Sequence, residues 1–145
     1  MSTAPLLKVE NLVKHFPIKG GLLGRTVDKV HAVDGVSFEL QKGETLGVVG
    51  ESGCGKSTTA RLLMHLIAPA AGDIVFDGAA VGTRDLPLKD YRRQVQMVFQ
   101  DSYASLNPRM TILDSITFAP RMLGVRRLEA EQRARRLLGL VGLTP

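Results

Sequence analysis

The sequence predicts an α/β fold in which a buried strand leads through a glycine-rich loop into a helix. Residues 46–49 read Leu-Gly-Val-Val, a continuous apolar run typical of a strand covered on both faces, as in a parallel sheet. A loop with three glycines follows directly at residues 50–57. Behind it, apolar side chains recur at the spacing of one helical face, at Ala60, Leu63, Met64 and Ile67. We expect this helix to end before Pro69 and Gly72.

An antiparallel β region is predicted ahead of the loop. A short strand is indicated by the apolar residues Leu7, Val9, Leu12 and Val13. The glycines and basic residues within 20–29 then indicate a flexible loop. Residues 36–40 alternate between apolar and polar, which is the period of a half-buried strand, and Lys42 with Gly43 supplies the turn that follows.

Shorter elements are predicted behind the first helix. Residues 74–76 indicate a strand closed by Asp77 and Gly78, residues 88–93 a short helix, and residues 95–99 a second apolar strand.

Two further helices are predicted after residue 110. The first begins at Thr111, which with Asp114 resembles a capping box, and it runs toward Gly124, with Pro120 expected to kink or shorten it. The second is amphipathic, and its apolar face is formed by Ala130, Ala134, Leu137, Leu138 and Val141.

Length and composition indicate one globular domain that does not bind nucleic acid. With 145 residues, 44% of them hydrophobic, the chain can bury a core but is short for two domains. The net charge is +5 and arginines crowd the last quarter, but aromatic residues do not alternate with them as base-stacking platforms would. Instead, Glu129 with Arg133 and Glu131 with Arg135 are spaced as ion pairs on a solvated helix face.

The sequence favours a reducing compartment. Cys54 is the single cysteine, so it cannot form an internal disulfide. The N-terminal residues lack the uninterrupted apolar core of a signal peptide, and no stretch approaches the roughly 20 apolar residues of a membrane helix. His15, His31 and His65 share no metal-ligand spacing, and we interpret them as hydrogen-bonded or solvated side chains. We expect a cytoplasmic protein that reaches a membrane only through a partner.

The loop at 50–57 carries the strongest functional signal. It reads Gly-Glu-Ser-Gly-Cys-Gly-Lys-Ser and fits the phosphate-binding pattern GxxxxGK[ST] between a predicted strand and a predicted helix. Lys56 is expected to neutralise the β- and γ-phosphates of ATP, the Ser57 hydroxyl to coordinate Mg²⁺, and the Thr58 hydroxyl to reach the α-phosphate. The backbone N–H groups from Ser52 to Thr58 are expected to converge on the β-phosphate. The predicted nucleotide-binding residues of the loop are Gly50, Ser52, Gly53, Cys54, Gly55, Lys56, Ser57 and Thr58.

Three further segments resemble the ATPases of ABC transporters. Residues 98–101, Val-Phe-Gln-Asp, are similar to the glutamine loop of that family. Residues 103–110, Tyr-Ala-Ser-Leu-Asn-Pro-Arg-Met, and 31–38, His-Ala-Val-Asp-Gly-Val-Ser-Phe, resemble the subfamily that energises import of dipeptides, oligopeptides and sometimes nickel. Ser102 departs from the proline that this subfamily usually carries.

The resemblance implies a P-loop NTPase fold of the ABC type, a RecA-like core with an antiparallel β region at its start. It covers nearly the whole chain but only the first part of the family's nucleotide-binding domain. We divide this chain into a β region at 1–43, a P-loop core at 44–100 and the start of a helical subdomain at 101–145. The sequence contains no LSGGQ-like signature and no apolar strand ending in Asp-Glu. We therefore expect these residues alone to bind ATP without turning it over.

The same resemblance assigns roles to individual residues. Gln100 is expected to act with Lys56 in catalysis and to reach Mg²⁺ or the attacking water, and Phe16 to stack on adenine. A transmembrane permease is expected to contact Tyr103, Leu106 and Met110. A second ATPase subunit, identical or different, would complete a dimer at the cytoplasmic face of the membrane.

Two alternatives stay open from the residues themselves. A small-molecule kinase uses the same loop, but it needs an acceptor pocket and a catalytic carboxylate that we do not identify in the sequence. A nucleotide-binding fragment without hydrolysis would bind ATP and associate with no membrane subunit.

Overall fold

The computed structural model describes residues 4–20, 25–101 and 106–143, which fall into two compact units, 1–97 and 98–145. The elements of the first unit are β1 (Leu7–Gly20), β2 (Arg25–Leu40), α1 (Lys56–Leu63), β3 (Ala71–Phe76), β4 (Ala79–Ala80) and α2 (Leu88–Gln94). Its four strands form an antiparallel sheet in the order β2-β1-β3-β4.

The hairpin of β1 and β2 is longer than the sequence predicts. The strands pair from Leu7 with Leu40 up to Gly20 with Arg25, so Lys29, assigned above to a flexible loop, lies inside β2. Residues 21–24 of that predicted loop lie outside the described residues. The valines at 27, 30 and 33 favour an extended strand.

A bulge interrupts this hairpin near its middle. Lys14 pairs with Val33 and the next residue, His15, pairs with His31, so Ala32 is an extra residue in β2. The bulge changes which side chains of β2 share a face: Val33 is buried in the core, whereas His31 is exposed.

The core of the first unit lies where α1 covers the sheet. Five buried side chains form it, Val9, Leu12, Val33, Leu62 and Ile74. Beside this cluster, Tyr91 of α2 is fully buried, and its hydroxyl donates a hydrogen bond of 2.8 Å to the carbonyl oxygen of Leu63. Its ring meets Phe76 edge to face at 5.4 Å. Burial raises the pKa of the Tyr91 phenol, so the hydroxyl remains a donor.

The two apolar runs at 46–49 and 95–99 do not form strands, and that prediction is wrong. Both are irregular, and Val49 and Val98 are 92% and 91% exposed. An apolar run becomes a buried parallel strand only where neighbouring strands supply hydrogen bonds and cover. Among the described residues, parallel pairing is limited to a single bridge between Val81 and Leu86.

The second unit is built from two helices that pack against each other, α3 (Ile112–Met122) and α4 (Arg127–Leu140). Thr111 caps α3 as predicted: its hydroxyl accepts a hydrogen bond from the backbone N–H of Asp114 at 3.0 Å. Pro120 lies in the last turn, and the helix ends at Met122 rather than continuing to Gly124.

Helix α4 follows its predicted pattern only in part. Ala130 and Ala134 are buried, but Leu137 and Val141 are exposed. The Glu129–Arg133 ion pair is confirmed at 2.6 Å, whereas Glu131 pairs with Arg127, one turn earlier, at 2.6 Å instead of with Arg135. Arg127 and Arg135 are each four residues from Glu131, so the spacing alone does not determine which arginine forms the ion pair. None of the helices within the described ranges is long and apolar enough to cross a bilayer.

Candidate phosphate-binding site

The glycines of the loop at 50–57 have the backbone conformations that this loop requires. Gly50, Gly53 and Gly55 have φ values of 155°, 84° and 96°. The last two lie in the left-handed region, where a side chain is strained. Gly55 is also the N-cap of α1, so the chain turns from loop into helix at a residue that only glycine suits.

Gly55 is confined by space as well as by conformation. A Cβ atom on Gly55 would lie 2.1 Å from the carbonyl oxygen of Ala32, the extra residue of the β2 bulge. The end of the loop therefore packs directly on the backbone of β2. At Gly50, a Cβ atom would lie 2.6 Å from the Sγ atom of Cys54. Gly50 and the Cys54 side chain are therefore packed closely within the loop.

Lys56 folds back over this loop. Its Nζ atom donates hydrogen bonds to the carbonyl oxygens of Gly50 at 2.7 Å and Glu51 at 2.6 Å, and lies 3.5 Å from the Sγ atom of Cys54. The ammonium group is therefore held inside the loop by neutral acceptors. A phosphate oxygen entering the loop would offer it a charged acceptor instead, which forms a stronger hydrogen bond.

Helix α1 begins within the motif and presents its N-terminus to the loop. The first backbone hydrogen bond of the helix runs from Thr59 N–H to the carbonyl oxygen of Gly55 at 2.8 Å. The N–H groups of Lys56, Ser57 and Thr58 precede it, and in a helix these positions have no intrahelical acceptor. The first turn carries no acidic residue and Gly55 provides no capping side chain, so nothing in the helix offsets its positive end.

The hydroxyl groups behind the lysine differ in their hydrogen bonds. The Thr59 hydroxyl donates a hydrogen bond to the carbonyl oxygen of Gly55 at 3.1 Å, so it is already engaged within the first turn of α1. Within the described part of the chain, Ser57 has no side-chain hydrogen bond, and it is exposed. The Ser57 hydroxyl is therefore available to an external ligand.

Phe16, the residue expected to stack on adenine, belongs to the first unit with the loop. It lies on β1 opposite Val30, is 38% exposed and is not part of the hydrophobic core. The ammonium group of Lys14 lies 5.4 Å from its ring centroid.

The other predicted residues belong to the second unit. Gln100 is exposed, as is Leu106, while Met110 is half-buried. Tyr103 and Ser102 lie outside the described residues. The structure thus places the loop and Phe16 in one unit and Gln100 in the other.

Known proteins resemble this chain over most of its length. The family model described as "ABC transporter" matches residues 33–145. The chain belongs to the ABC transporter family. Two solved ABC structures share its fold, each with a TM-score of 0.69. One is cbiO1 from Clostridium perfringens, part of the cbiONQ complex, 24% identical over 97% of this chain and 52% of that chain. The other is the ATP-binding cassette MJ0796 bound to ADP and Pi. It is 26% identical, and the match covers 94% of this chain and 57% of that chain.

Curated relatives within the ABC family are closer in sequence. The chain is 52% identical over 143 residues to the glutathione import ATP-binding protein GsiA of Pectobacterium atrosepticum, covering 97% of this chain and 23% of that protein. It is 50% identical over 142 residues to a probable peptide ABC transporter ATP-binding protein, y4tS, of Sinorhizobium fredii. This match covers 97% of this chain and 40% of that protein. The chain therefore spans less than half the length of these relatives.

One group of residues was missed by the sequence analysis. His15, His31 and Asp34 lie together on the β1–β2 hairpin, although the histidines share no ligand spacing along the chain. The strand register brings them together, and the alternation of residue types does not specify that register.

Proposed function

We propose that this chain binds ATP with Mg²⁺, and that the protein containing it hydrolyses ATP to power import of peptides as the ATP-binding subunit of a transporter. The observation that carries the proposal is the loop at 50–57, with the N-terminus of α1 and the ammonium group of Lys56 at one place. Three sources of positive potential converge there: main-chain N–H groups, the helix dipole and a lysine.

The chemistry of this arrangement is electrostatic. The loop N–H groups bind the β-phosphate, and Lys56 moves from the carbonyl oxygens of Gly50 and Glu51 to the β- and γ-phosphates. Thr58 reaches the α-phosphate. Because phosphoryl transfer to water needs positioning and charge neutralisation rather than a covalent intermediate, these groups supply a large share of the catalysis.

The residues present fit a magnesium ion. Ser57 offers a hydroxyl oxygen at the start of α1 that has no other hydrogen bond among the residues described, and hard cations prefer oxygen ligands. Gln100 is the second proposed ligand, through its amide oxygen. When bound between these residues and the nucleotide, Mg²⁺ would supply positive charge that neutralises the negative charge developing on the phosphates.

The cargo and the assembly are proposed from likeness to the family. The relatives are named as ATP-binding proteins of glutathione and peptide transporters, which supports a peptide as cargo. We assign a permease contact to Tyr103, Leu106 and Met110, adenine stacking to Phe16, and a dimer with a second ATPase subunit at the cytoplasmic face of the membrane. We also retain the division into a β region at 1–43, a core at 44–100 and a helical subdomain from 101.

The permease contact is tested with a charge placed on an exposed leucine. In the complete protein co-expressed with its permease subunits, Leu106→Asp is expected to reduce co-purification of the permease by roughly tenfold, because a buried unpaired carboxylate opposes docking. Leu66→Asp is the matched control, since Leu66 and Leu106 are 50% and 46% exposed. Equal recovery of the permease with both variants would contradict the assignment of this surface.

Nucleotide placement is tested by labelling Cys54. It is the single cysteine and is exposed, so a maleimide reports on the loop alone. We expect ATP with Mg²⁺ to slow labelling several-fold, because bound phosphates cover the loop around the thiol, and adenosine at the same concentration to leave the rate unchanged. Identical labelling rates with and without the nucleotide would count against the placement.

A further inference from the structure

We propose that His15, His31 and Asp34 form a binding site for a divalent transition-metal ion such as Zn²⁺. The proposal goes beyond the ATP and Mg²⁺ chemistry of the loop, and it uses none of the residues assigned to that chemistry. Two imidazoles and a carboxylate are ligands that such ions accept.

The fold assembles the three side chains through strand register. His15 on β1 and His31 on β2 are direct partners across the hairpin. Directly opposite residues have Cβ atoms about 4.5–5.5 Å apart, so their side chains lie in contact. The bulge at Ala32 then reverses the alternation of β2, which directs Val33 into the core and brings Asp34 to the side of His31.

The distances are close to those of a metal site without its metal. The Nε2 atom of His15 lies 3.1 Å from Oδ1 of Asp34, and Nδ1 of His31 lies 3.5 Å from Oδ2. One ligand atom from each residue lies within 4.8 Å of the others. Zinc bonds of about 2.0–2.2 Å in tetrahedral geometry separate ligand atoms by roughly 3.3–3.6 Å. Small side-chain rotations would therefore complete the geometry.

The charge of the group also suits a cation. Asp34 contributes a carboxylate, whose negative charge attracts a divalent cation. Within the described residues, the partners of this carboxylate are the two imidazoles themselves, and no lysine or arginine forms an ion pair with it. A divalent ion would replace the imidazole protons between the same three groups.

The exposure of the three side chains makes the proposed site accessible to an ion from solvent. The His15 side chain is 24% exposed, and its ring centroid lies 3.9 Å from that of His31. His31 and Asp34 are mostly exposed, so an ion can reach them from solvent. Three protein ligands leave at least one position for water, as in open zinc sites.

The test measures metal binding directly. The tag-free chain is titrated with Zn²⁺ against a chromophoric indicator, and Co²⁺ is added separately to record its visible absorption. We expect one Zn²⁺ per chain. His15→Ala, His31→Ala and Asp34→Asn are each expected to weaken binding by on the order of tenfold or more, because each removes one of three ligands.

Two control variants make the result specific. His65→Asn removes a histidine outside the group and is expected to bind Zn²⁺ as the parent does, as is Cys54→Ser. Because His31 is exposed, His31→Ala is expected to fold as the parent does. Its Zn²⁺ binding can therefore be measured even where His15→Ala lowers the amount of folded protein. Zn²⁺ binding unchanged in His31→Ala, absent from the parent chain, or lost in Cys54→Ser would overturn the proposal.

Discussion

Replacing Lys56 by alanine is expected to weaken ATP binding by roughly 10- to 150-fold, because a hydrogen bond to a charged group contributes about 1.5–3 kcal/mol. The Nζ atom bonds to two carbonyl oxygens of the loop, those of Gly50 and Glu51. These bonds must be exchanged for bonds to phosphate when ATP enters. The exchange favours ATP because phosphate oxygens are charged acceptors and carbonyl oxygens are neutral ones.

The matched control is Lys42→Ala. Lys42 is an exposed lysine in the turn after β2, and its removal lowers the net charge by the same amount as the removal of Lys56. A fluorescent ATP analogue titrated into each variant separates a local contact from a general electrostatic effect. Equal dissociation constants for the two variants would mean that Lys56 does not contact the phosphates.

Replacing Gly55 by alanine is expected to destabilise the first unit by about 3 kcal/mol or more, since left-handed strain and a backbone clash add together. The φ angle is 96°, and the new Cβ atom would lie 2.1 Å from the carbonyl oxygen of Ala32. The Cβ atom is bonded directly to the main chain and its partner is a main-chain oxygen, so neither can rotate away as the end of a long side chain can. Either the loop or the β2 bulge must move.

Gly43→Ala isolates the conformational part of this cost. Gly43 has a φ of 81°, but a Cβ atom added there would meet nothing within 4 Å, so its substitution should cost only about 1–2 kcal/mol. Urea unfolding followed by circular dichroism gives both values by linear extrapolation. Equal destabilisation by the two substitutions would show that the contact with Ala32 is not a tight one.

Local signals in the sequence predicted the structure well. Three such features are the cap of α3 at Thr111, the turn at Asp77 and Gly78 after β3, and the start of α1, which depend on neighbours within a few residues. Such features are determined by short-range hydrogen bonds and by backbone conformation, which a sequence pattern records directly.

Features that depend on distant partners were predicted less well. The apolar run at 46–49 indicates burial but not what buries it, and in the structure it remains exposed. The meeting of His15 and His31 requires the register of β1 on β2, and the position of Asp34 requires the bulge at Ala32. Neither register nor bulge follows from alternation of residue types, because both are set by the pairing of two strands.

Calorimetric titration of ATP into the tag-free chain, with and without Mg²⁺, tests most directly whether the loop at 50–57 binds a nucleotide. We expect one ATP bound per folded chain, tighter binding with Mg²⁺, and no comparable binding of adenosine, because the loop recognises phosphates. A folded chain that takes up no ATP, or that binds adenosine as tightly as ATP, would contradict the proposed function.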